Sequence, residues 1–291
     1  MPERTNGTVL KTVRPARVSE VRILSLPHMK KFALIIIAIV IVALLVWLGM
    51  NLFKTNTVEQ NNNPQDNEPS QETEPTAKEM TFAETTGDYK IEVRYPEIRG
   101  TANLQSQTDA NKLIKKIIDD GIETFKDDVE KDAIKDFSLK SSLTIDYEVL
   151  YLTEIAASIK FNIFYYVAGM PHTTNYSSGF NYNLQNNRSI ALSDLFNSGG
   201  NFLSSLSNLC AADLKTQLEP NYYDETTVKT GTEAKEENFA EFNFNQTEMT
   251  IIFNIYQVAP YAAGIKLVNI PYAQLAKINS NSELLKLIKP R

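Results

Sequence analysis

The sequence of 291 residues predicts an α+β protein, in which a single N-terminal transmembrane helix is followed by an antiparallel sheet packed with two main helices. One observation is an uncharged apolar run over residues 32–53. The second is a series of alternating apolar patterns that come in pairs, as hairpins do. The third is a pair of long helical patterns that lie between groups of strands. That order favours α+β architecture over regularly alternating βαβ units.

The apolar run predicts a membrane span. It reads FALIIIAIVIVALLVWLGMNLF and contains no charged residue. A helix of this length crosses a hydrocarbon core of about 30 Å. Lys30 and Lys31 precede it, Lys54 follows it, and Trp47 lies near its end, where an indole prefers the interface. The alternative is a buried helix of a soluble core, but such helices seldom run this long with apolar residues on every face.

Charge predicts the orientation of this span. Residues 1–31 contain seven Lys or Arg against two Glu, whereas the whole chain has a net charge of −6. Basic flanks stay in the cytoplasm, so we expect a cytoplasmic tail (1–31), a single span, and an acidic C-terminal part outside. An acidic exterior argues against nucleic acid as a partner and leaves the lipid bilayer as the first predicted one. A cleavable signal peptide is the alternative, although the run is long for one and no A-x-A site follows it.

Residues 54–80 are rich in Asn, Gln, Glu, Thr and Pro and predict a flexible linker. Beyond it, amphipathic periodicity predicts a helix over 108–137, capped by Thr108 or Asp109, and another over 201–218 with Cys210 on its apolar face. Residues 168–177 are expected to form a loop, and 220–235 an exposed insertion. Strands are predicted at 90–98 (ending at Pro96), 142–152, 155–167, 180–184, 189–192, 239–244, 249–256 and 265–270. A helical turn at 271–275 and a helix at 282–288 close the chain.

Scarcity of histidine and cysteine restricts the possible chemistry. The chain has two histidines, His28 before the span and His172 after it, so a zinc site with several histidine ligands is excluded in the outer part. Cys210 is the only cysteine, so no disulfide forms within the chain. Its position on the apolar face of a helix predicts that it is a core residue. The nucleotide-binding and hydrolase motifs are absent. We therefore predict no enzyme, no catalytic residue, no metal and no cofactor. A glycosidase with paired carboxylates remains the alternative.

The predicted ligand-binding residues are His172, Tyr176 and Tyr261. His172 follows a stretch with aromatic residues and glycine that joins two strands. Its ring either hydrogen-bonds the backbone and fixes the loop, or contacts a ligand on an exposed surface. Further tyrosines could extend a binding surface, although tyrosines of a sheet are often half-buried: Tyr222, Tyr223, Tyr256 and Tyr272.

Two blocks carry a family resemblance. One runs from Tyr166 through His172 to FNYNLQNNRSIALSDLF, and the other contains YQVAPYAAG and VNIPYAQL. Both resemble the C-terminal extracytoplasmic domain of the lysozyme-sensing anti-sigma-V factors of Gram-positive bacteria. Residues 81–165 resemble the domain that precedes it, also found beside a peptidoglycan deacetylase. The resemblance thus divides the ectodomain into 81–165 and 166–291. The turn Ala168–His172 departs from the family's Gly-Gly-Ala-His, and the N-terminal tail has no recognisable sigma-binding helix.

The resemblance implies a bacterial cell-membrane protein with an extracytoplasmic binding or sensing domain. In the characterised relative, the ectodomain binds lysozyme and is cleaved to free a sigma factor. The expected ligand here is a lysozyme-like protein or peptidoglycan. The alternatives are a cell-envelope glycan hydrolase that uses carboxylates and a structural envelope protein.

Overall fold

The computed structural model describes residues 74–134, 138–197, 201–278 and 282–288, which belong to one compact unit. The predicted cytoplasmic tail (1–31), the transmembrane helix (32–53) and most of the linker (54–80) lie outside the described residues. Within the described part, none of the helices has the length and apolar character that a bilayer requires.

A six-stranded sheet forms the first layer, and its strands follow chain order. Four of the five neighbouring strand pairs are antiparallel, but β2 and β3 pair in parallel. The prediction of a purely antiparallel sheet is therefore wrong at this pair. The reason is the long helix α1, Leu104–Asp132, which returns the chain to the same end of the sheet. The strands are β1 Thr76–Thr85, β2 Tyr89–Arg99, β3 Ser141–Leu152, β4 Ala156–Tyr166, β5 Thr174–Asn183 and β6 Arg188–Ser189.

Strand β1 begins inside the predicted linker. It pairs with β2 from Thr76 to Thr85, whereas the linker was expected to continue to residue 80. Most of its residues are exposed because β1 is the edge of the sheet, and so its composition is as polar as that of the linker. Strand β2 also continues past its predicted end at Pro96, because the Pro96 backbone pairs only with this edge strand.

Helix α1 packs one apolar stripe against the sheet. It begins at Leu104 because the Asn103 side chain accepts a hydrogen bond from Ser106 N–H at 3.0 Å, four residues before the predicted start. Phe125, at the centre of the buried stripe, contacts Tyr165 edge-on with ring centroids 5.6 Å apart. The buried residues of this stripe are Ala110, Ile114, Ile118, Phe125 and Val129.

A three-stranded antiparallel sheet with its helices forms the second layer. Its core includes Cys210, which is fully buried as predicted. The strands are β7 Phe242–Phe244, β8 Glu248–Phe253 and β9 Lys266–Pro271, and the helices are α2 Phe202–Leu218, α3 Glu225–Gly231, α4 Tyr272–Leu275 and α5 Glu283–Ile288. Short 3-10 turns lie at Leu192–Leu195, Glu236–Phe239, Tyr261–Ala263 and Ala276–Ile278. The α+β class is thus confirmed.

The predicted exposed insertion at 220–235 contains a helix that packs on the core. Val228 and Gly231 of α3 are buried. A Cβ at Gly231 would lie 2.1 Å from the carbonyl oxygen of Gln257, so only glycine allows this approach. One buried valine in a polar stretch carries no periodic signal, which is why the pattern did not indicate a helix.

The predicted boundary between residues 165 and 166 falls within the first sheet. Strands β4 and β5 lie on its two sides and pair over ten positions. Strand β5 also begins at Thr174, inside the segment that was predicted as a loop. Its first residues are polar, and only their pairing with β4 defines them as a strand.

Candidate functional site

The outer edge of β5 is closed by side chains of the second layer. Strand β6 pairs only with Tyr182 and Asn183, at one end of β5. Further along, Ser177 N–H donates to Asn254 Oδ1 at 2.7 Å, and Asn254 Nδ2 donates back to the Ser177 carbonyl at 2.9 Å. The Asn254 amide therefore supplies the donor and acceptor that a neighbouring strand would supply.

A second contact of this edge involves Gly179, whose N–H donates to Glu241 Oε2 at 2.8 Å. A Cβ at Gly179 would lie 2.1 Å from the carbonyl oxygen of Phe242, so the two layers touch backbone to backbone here. Burial raises the pKa of Glu241, while the hydrogen bonds from Gly179 N–H and the Ser178 hydroxyl act in the opposite direction. Burial therefore shifts the protonation equilibrium of this carboxyl group toward its neutral form.

Next to this edge, the chain from Asn254 to Gly264 forms two consecutive turns. Gln257 N–H donates to the Asn254 carbonyl at 3.1 Å, and the third residue of this turn, Tyr256, has φ of 67°. This left-handed conformation is normally taken by glycine and costs a tyrosine about 1–2 kcal/mol. The Gln257 side chain secures the turn by donating to the Asn238 carbonyl at 2.9 Å. Tyr256 is therefore held in a strained conformation with 44% of its surface exposed.

His172 lies between the two tyrosines of these turns. Its ring stacks on Tyr261 with centroids 4.0 Å apart and planes inclined by 28°. Its Nδ1 is 2.8 Å from the carbonyl oxygen of Thr173, which can only accept, so Nδ1 carries the proton. Its Nε2 then accepts from the Tyr256 hydroxyl at 3.2 Å. His172 thus hydrogen-bonds the backbone carbonyl of the next residue, as one of the two interpretations of this histidine expects, and also forms an aromatic cluster with Tyr256 and Tyr261.

A groove of about 310 Å³ lies between β4, β5 and the Tyr261 turn, and we call it the aromatic groove. Phe164, which is 48% exposed, forms part of its wall. The side-chain oxygen of Asn175 is buried and has no hydrogen-bond partner among the described residues. Burial raises the pKa of Tyr176 to about 12, with a smaller contribution from the Glu241 carboxylate. The lining residues are Asn162, Ile163, Phe164, Asn175, Tyr176, Ser177, Ile255, Tyr261, Ala262, Gly264 and Ile265.

The three residues predicted from the sequence lie in one region. Tyr176 and Tyr261 line the aromatic groove, and His172 stacks on Tyr261. Whether they bind a ligand stays a prediction. Tyr272 is buried and donates to the Asn245 carbonyl at 2.6 Å. Tyr223 lies under the Lys215 ammonium, 5.6 Å from ring centroid to nitrogen.

Two groove residues, Phe164 and Asn175, were not singled out from the sequence. For Phe164 a signal existed, because the alternation of β4 puts Ile163 and Tyr165 inward and Phe164 on the outward face with Asn162. An aromatic side chain at an outward strand position indicates a contact surface. For Asn175 the sequence held no signal, since its unpaired oxygen depends on tertiary packing. Within the described ranges, no group of three or more His, Cys, Asp or Glu side chains could hold a metal ion.

Residues 193–273 match a family model described as a protein of unknown function (DUF3298). This match includes Tyr256 and Tyr261 and the whole second sheet. The chain is also 25% identical, over 169 residues, to a Bacillus subtilis (strain 168) protein named peptidoglycan-N-acetylmuramic acid deacetylase PdaC. The alignment covers 58% of this chain and 36% of that protein, so the chain spans about a third of its length.

Two solved structures of DUF3298 family members match this chain, and the first of them supports a similar fold. The one from Bacteroides fragilis is 17% identical, with a TM-score of 0.52 over 74% of this chain and 97% of that chain. The one from Pseudomonas aeruginosa is 14% identical, with a TM-score of 0.46 over 72% of this chain and 94% of that chain. The comparisons support a DUF3298-type domain with a deacetylase among its relatives. The resemblance to anti-sigma-V factors stays a prediction.

Proposed function

We propose that this chain is a non-catalytic binding module that holds a cell-wall glycan in the aromatic groove. The observation that carries this proposal is the combination in one groove of aromatic side chains, of which Phe164 is 48% exposed, with a buried amide oxygen that has no hydrogen-bond partner among the described residues. Ligand sites are concave, largely apolar and furnished with a few polar groups that orient the ligand. The aromatic groove has each of these properties.

The chemistry of the groove suits an N-acetylated amino sugar. Phe164 and Tyr261 offer apolar faces on which the C–H groups of a pyranose ring can pack. An unsatisfied buried acceptor costs about 1–3 kcal/mol, so Asn175 Oδ1 favours a ligand that brings an N–H or O–H donor. The acetamido N–H of a peptidoglycan sugar is such a donor. The name of the Bacillus subtilis relative, a peptidoglycan-N-acetylmuramic acid deacetylase, supports this ligand class.

The strained turn supports a binding role for the aromatic cluster. A tyrosine is kept at a φ of 67°, where glycine would be more stable, and its hydroxyl reaches His172. Such strain persists where the surrounding structure enforces it, and it is found most often at functional sites. A rigid tyrosine also loses little conformational freedom when a ligand binds.

The proposed setting is the outside of a bacterial membrane. Residues 32–53 would span the bilayer with the basic tail inside, and the linker would present the domain at the cell wall. Glycan binding would then fix the domain to the wall or report on its state. Relay to a sigma factor, which the resemblance suggests, would be an additional property of the membrane-anchored chain.

Calorimetry tests the proposal. The full-length chain in detergent micelles is titrated with a peptidoglycan oligosaccharide built from N-acetylglucosamine and N-acetylmuramic acid. We expect saturable binding that weakens by about ten-fold or more in Tyr261→Ala, since loss of one stacking ring removes on the order of 1.4 kcal/mol or more. The control is Tyr222→Ala, which removes an exposed tyrosine (41%) that does not line the groove. Absence of saturable binding, or equal weakening in both variants, would contradict the proposal.

A second candidate ligand is a cationic lysozyme-like protein. The acidic excess of the chain outside its basic tail favours it, because opposite charge speeds encounter at low salt. The same titration with lysozyme separates the two ligands. Protein binding that depends on charge alone weakens steeply with salt and is insensitive to Tyr261→Ala, whereas glycan binding shows the reverse behaviour.

A further inference from the structure

Among the described residues, strand β1 is the first edge of the six-stranded sheet. It pairs with β2 over ten consecutive positions without a bulge, and no strand of the described residues pairs with its other side. It contains no proline. A long, regular edge strand of this kind is a template for pairing with another chain.

The outward backbone groups of β1 belong to alternate residues. Thr86 N–H donates to the Tyr89 carbonyl, which makes this a hydrogen-bonded pair of the β1–β2 hairpin. Counting back in the recorded register, Glu84 and Phe82 direct their N–H and C=O toward β2. Ala83, Thr81 and Glu79 therefore direct theirs away from the sheet. Any strand added to this edge must bond to the odd-numbered residues.

One antiparallel register of β1 with a second β1 satisfies both the backbone and the side chains. When the two-fold axis passes through Thr81, Thr81 pairs with its own copy and Glu79 pairs with Ala83, so outward groups meet outward groups. On the helix-facing side, Lys78 of one copy then faces Glu84 of the other, and Met80 faces Phe82. If the axis passes through Met80 instead, Lys78 faces Phe82. If it passes through Phe82, Met80 faces Glu84. Only the register centred on Thr81 therefore matches both charge and apolarity.

We propose that two copies of this chain associate through β1, antiparallel and centred on Thr81, to form one continuous twelve-stranded sheet. The interface is isologous: on each side of the axis it has one Met80–Phe82 contact and, further out, one Lys78–Glu84 pair. The 38% exposed Phe82 becomes covered. Glu84 is already held by the Lys126 ammonium at 2.5 Å and by the Tyr89 hydroxyl, so its carboxylate is positioned for the incoming Lys78.

A groove beside the edge gives the second copy further surface to cover. It has a volume of about 470 Å³ and lies between β1, β2 and α1. Phe82, Tyr95, Ile118 and Ile122 form its apolar part, and charged side chains of α1 form its rim. Because Met80 and Phe82 of the second copy project on the same side of the sheet as this groove, pairing of the strands brings apolar side chains toward it.

Disulfide trapping in the full-length chain tests the proposal. At the proposed axis the two Thr81 Cα atoms lie about 5.5 Å apart, within the range that a disulfide spans. The only native cysteine, Cys210, is fully buried and does not interfere. Under mild oxidation in detergent micelles or membranes, Thr81→Cys is expected to form a covalent dimer. Ala83→Cys is the matched control, because its two thiols would lie four residues out of register, about 13 Å apart along the strand.

A charge reversal provides the second readout. Lys78→Glu places like charges at both ends of the interface and should lower the yield of the dimer trapped through Thr81→Cys by several-fold. Lys112→Glu, on a side chain that is 70% exposed on α1, is the control and should leave the yield unchanged. Trapping of Thr81→Cys no greater than that of Ala83→Cys, insensitivity to Lys78→Glu, or cross-linking to a different protein would overturn the proposal. Because β1 does not line the aromatic groove, glycan binding is unaffected by either outcome.

Discussion

The outer edge of β1 and the part of β5 that β6 does not cover differ in how their backbone groups are satisfied. Along β5, Asn254 and Glu241 take up the outward backbone groups of Ser177 and Gly179. Along β1, the outward groups of alternate residues meet no other described strand. Both edges are long enough to nucleate association.

This difference indicates a separate structural role for each edge. The closed edge joins the two layers and fixes the position of Asn254, from which the strained Tyr256 turn begins. The groove therefore depends on the closure of β5. The open edge has exposed side chains and few packing contacts within the chain. Substitutions in β1 should therefore alter the association of two copies and leave the free energy of unfolding nearly constant.

The largest effect on the closed edge is expected for Gly179→Ala. The added Cβ would lie 2.1 Å from Phe242 O and 3.0 Å from its carbonyl carbon, so the layers must separate. We expect the free energy of unfolding to fall by about 3 kcal/mol, measured by chemical denaturation. Gly87→Ala, in a hairpin with nothing within 4 Å of the new atom, is the control and should change it by less than about 0.5 kcal/mol. Equal effects of the two substitutions would contradict the close approach.

Asn254→Ala should have the next largest effect. It removes both hydrogen bonds to Ser177 and leaves a partly buried N–H and C=O without their partner. We expect a loss of about 2 kcal/mol in the free energy of unfolding, together with weaker glycan binding. Asn269→Ala, which removes one exposed bond from the Thr250 hydroxyl, is the matched control. If glycan affinity were unchanged in Asn254→Ala, the closed edge would not position the groove.

Glu241→Gln tests the closed edge of β5 through the pH dependence of the protein's stability. Burial raises the pKa of Glu241 in the folded state above the ordinary value of 4.5. Above about pH 4.5, Glu241 therefore stays protonated in the folded state after it has lost its proton in the unfolded state. The contribution of Glu241 to the free energy of unfolding is thus complete below about pH 4.5 and is lost as the pH rises. Gln retains an acceptor for Gly179 N–H but does not titrate. The variant should therefore gain stability relative to the wild type between pH 4.5 and pH 7, measured by thermal unfolding; a constant difference would contradict the pKa direction.

The smallest expected effect, which is also a gain in stability, belongs to Tyr256→Gly. Glycine relieves the strain at φ of 67° and should raise the free energy of unfolding by about 1 kcal/mol, while loss of the ring weakens glycan binding. Tyr256→Ala removes the same ring without relieving the strain, and so it should lose binding without gaining stability. Equal stability of the two variants would show that Tyr256 is not strained.

The amount of this fold that the sequence predicts varies with the kind of contact. Strands β3 and β4 lie within one residue of their predicted bounds, because both alternate clearly and pair locally. The parallel pairing of β2 with β3 and the strand at 76–80 were missed, since both depend on contacts that a local pattern does not contain. The start of α1 was missed because Asn103, which lies ahead of the apolar stripe and five residues before the predicted cap Thr108, caps the helix through its side chain.

Some features of the candidate site can also be predicted from the sequence, whereas others depend on tertiary packing. His172 and Tyr261 were selected from unusual loop composition, and the structure stacks them on each other. The unpaired oxygen of Asn175 and the left-handed conformation of Tyr256 could not be predicted, because each arises from the packing of one layer against the other. Phe164 could have been found from its outward position on β4.

Hydrogen–deuterium exchange of the full-length chain, with and without the peptidoglycan oligosaccharide, tests glycan binding at the aromatic groove most directly. At saturating glycan we predict slower exchange in peptides that contain residues 162–177 and 255–265, which line the groove, and no change in peptides from β1. Protection confined to β1, or no protection in the groove peptides at saturation, would contradict the account.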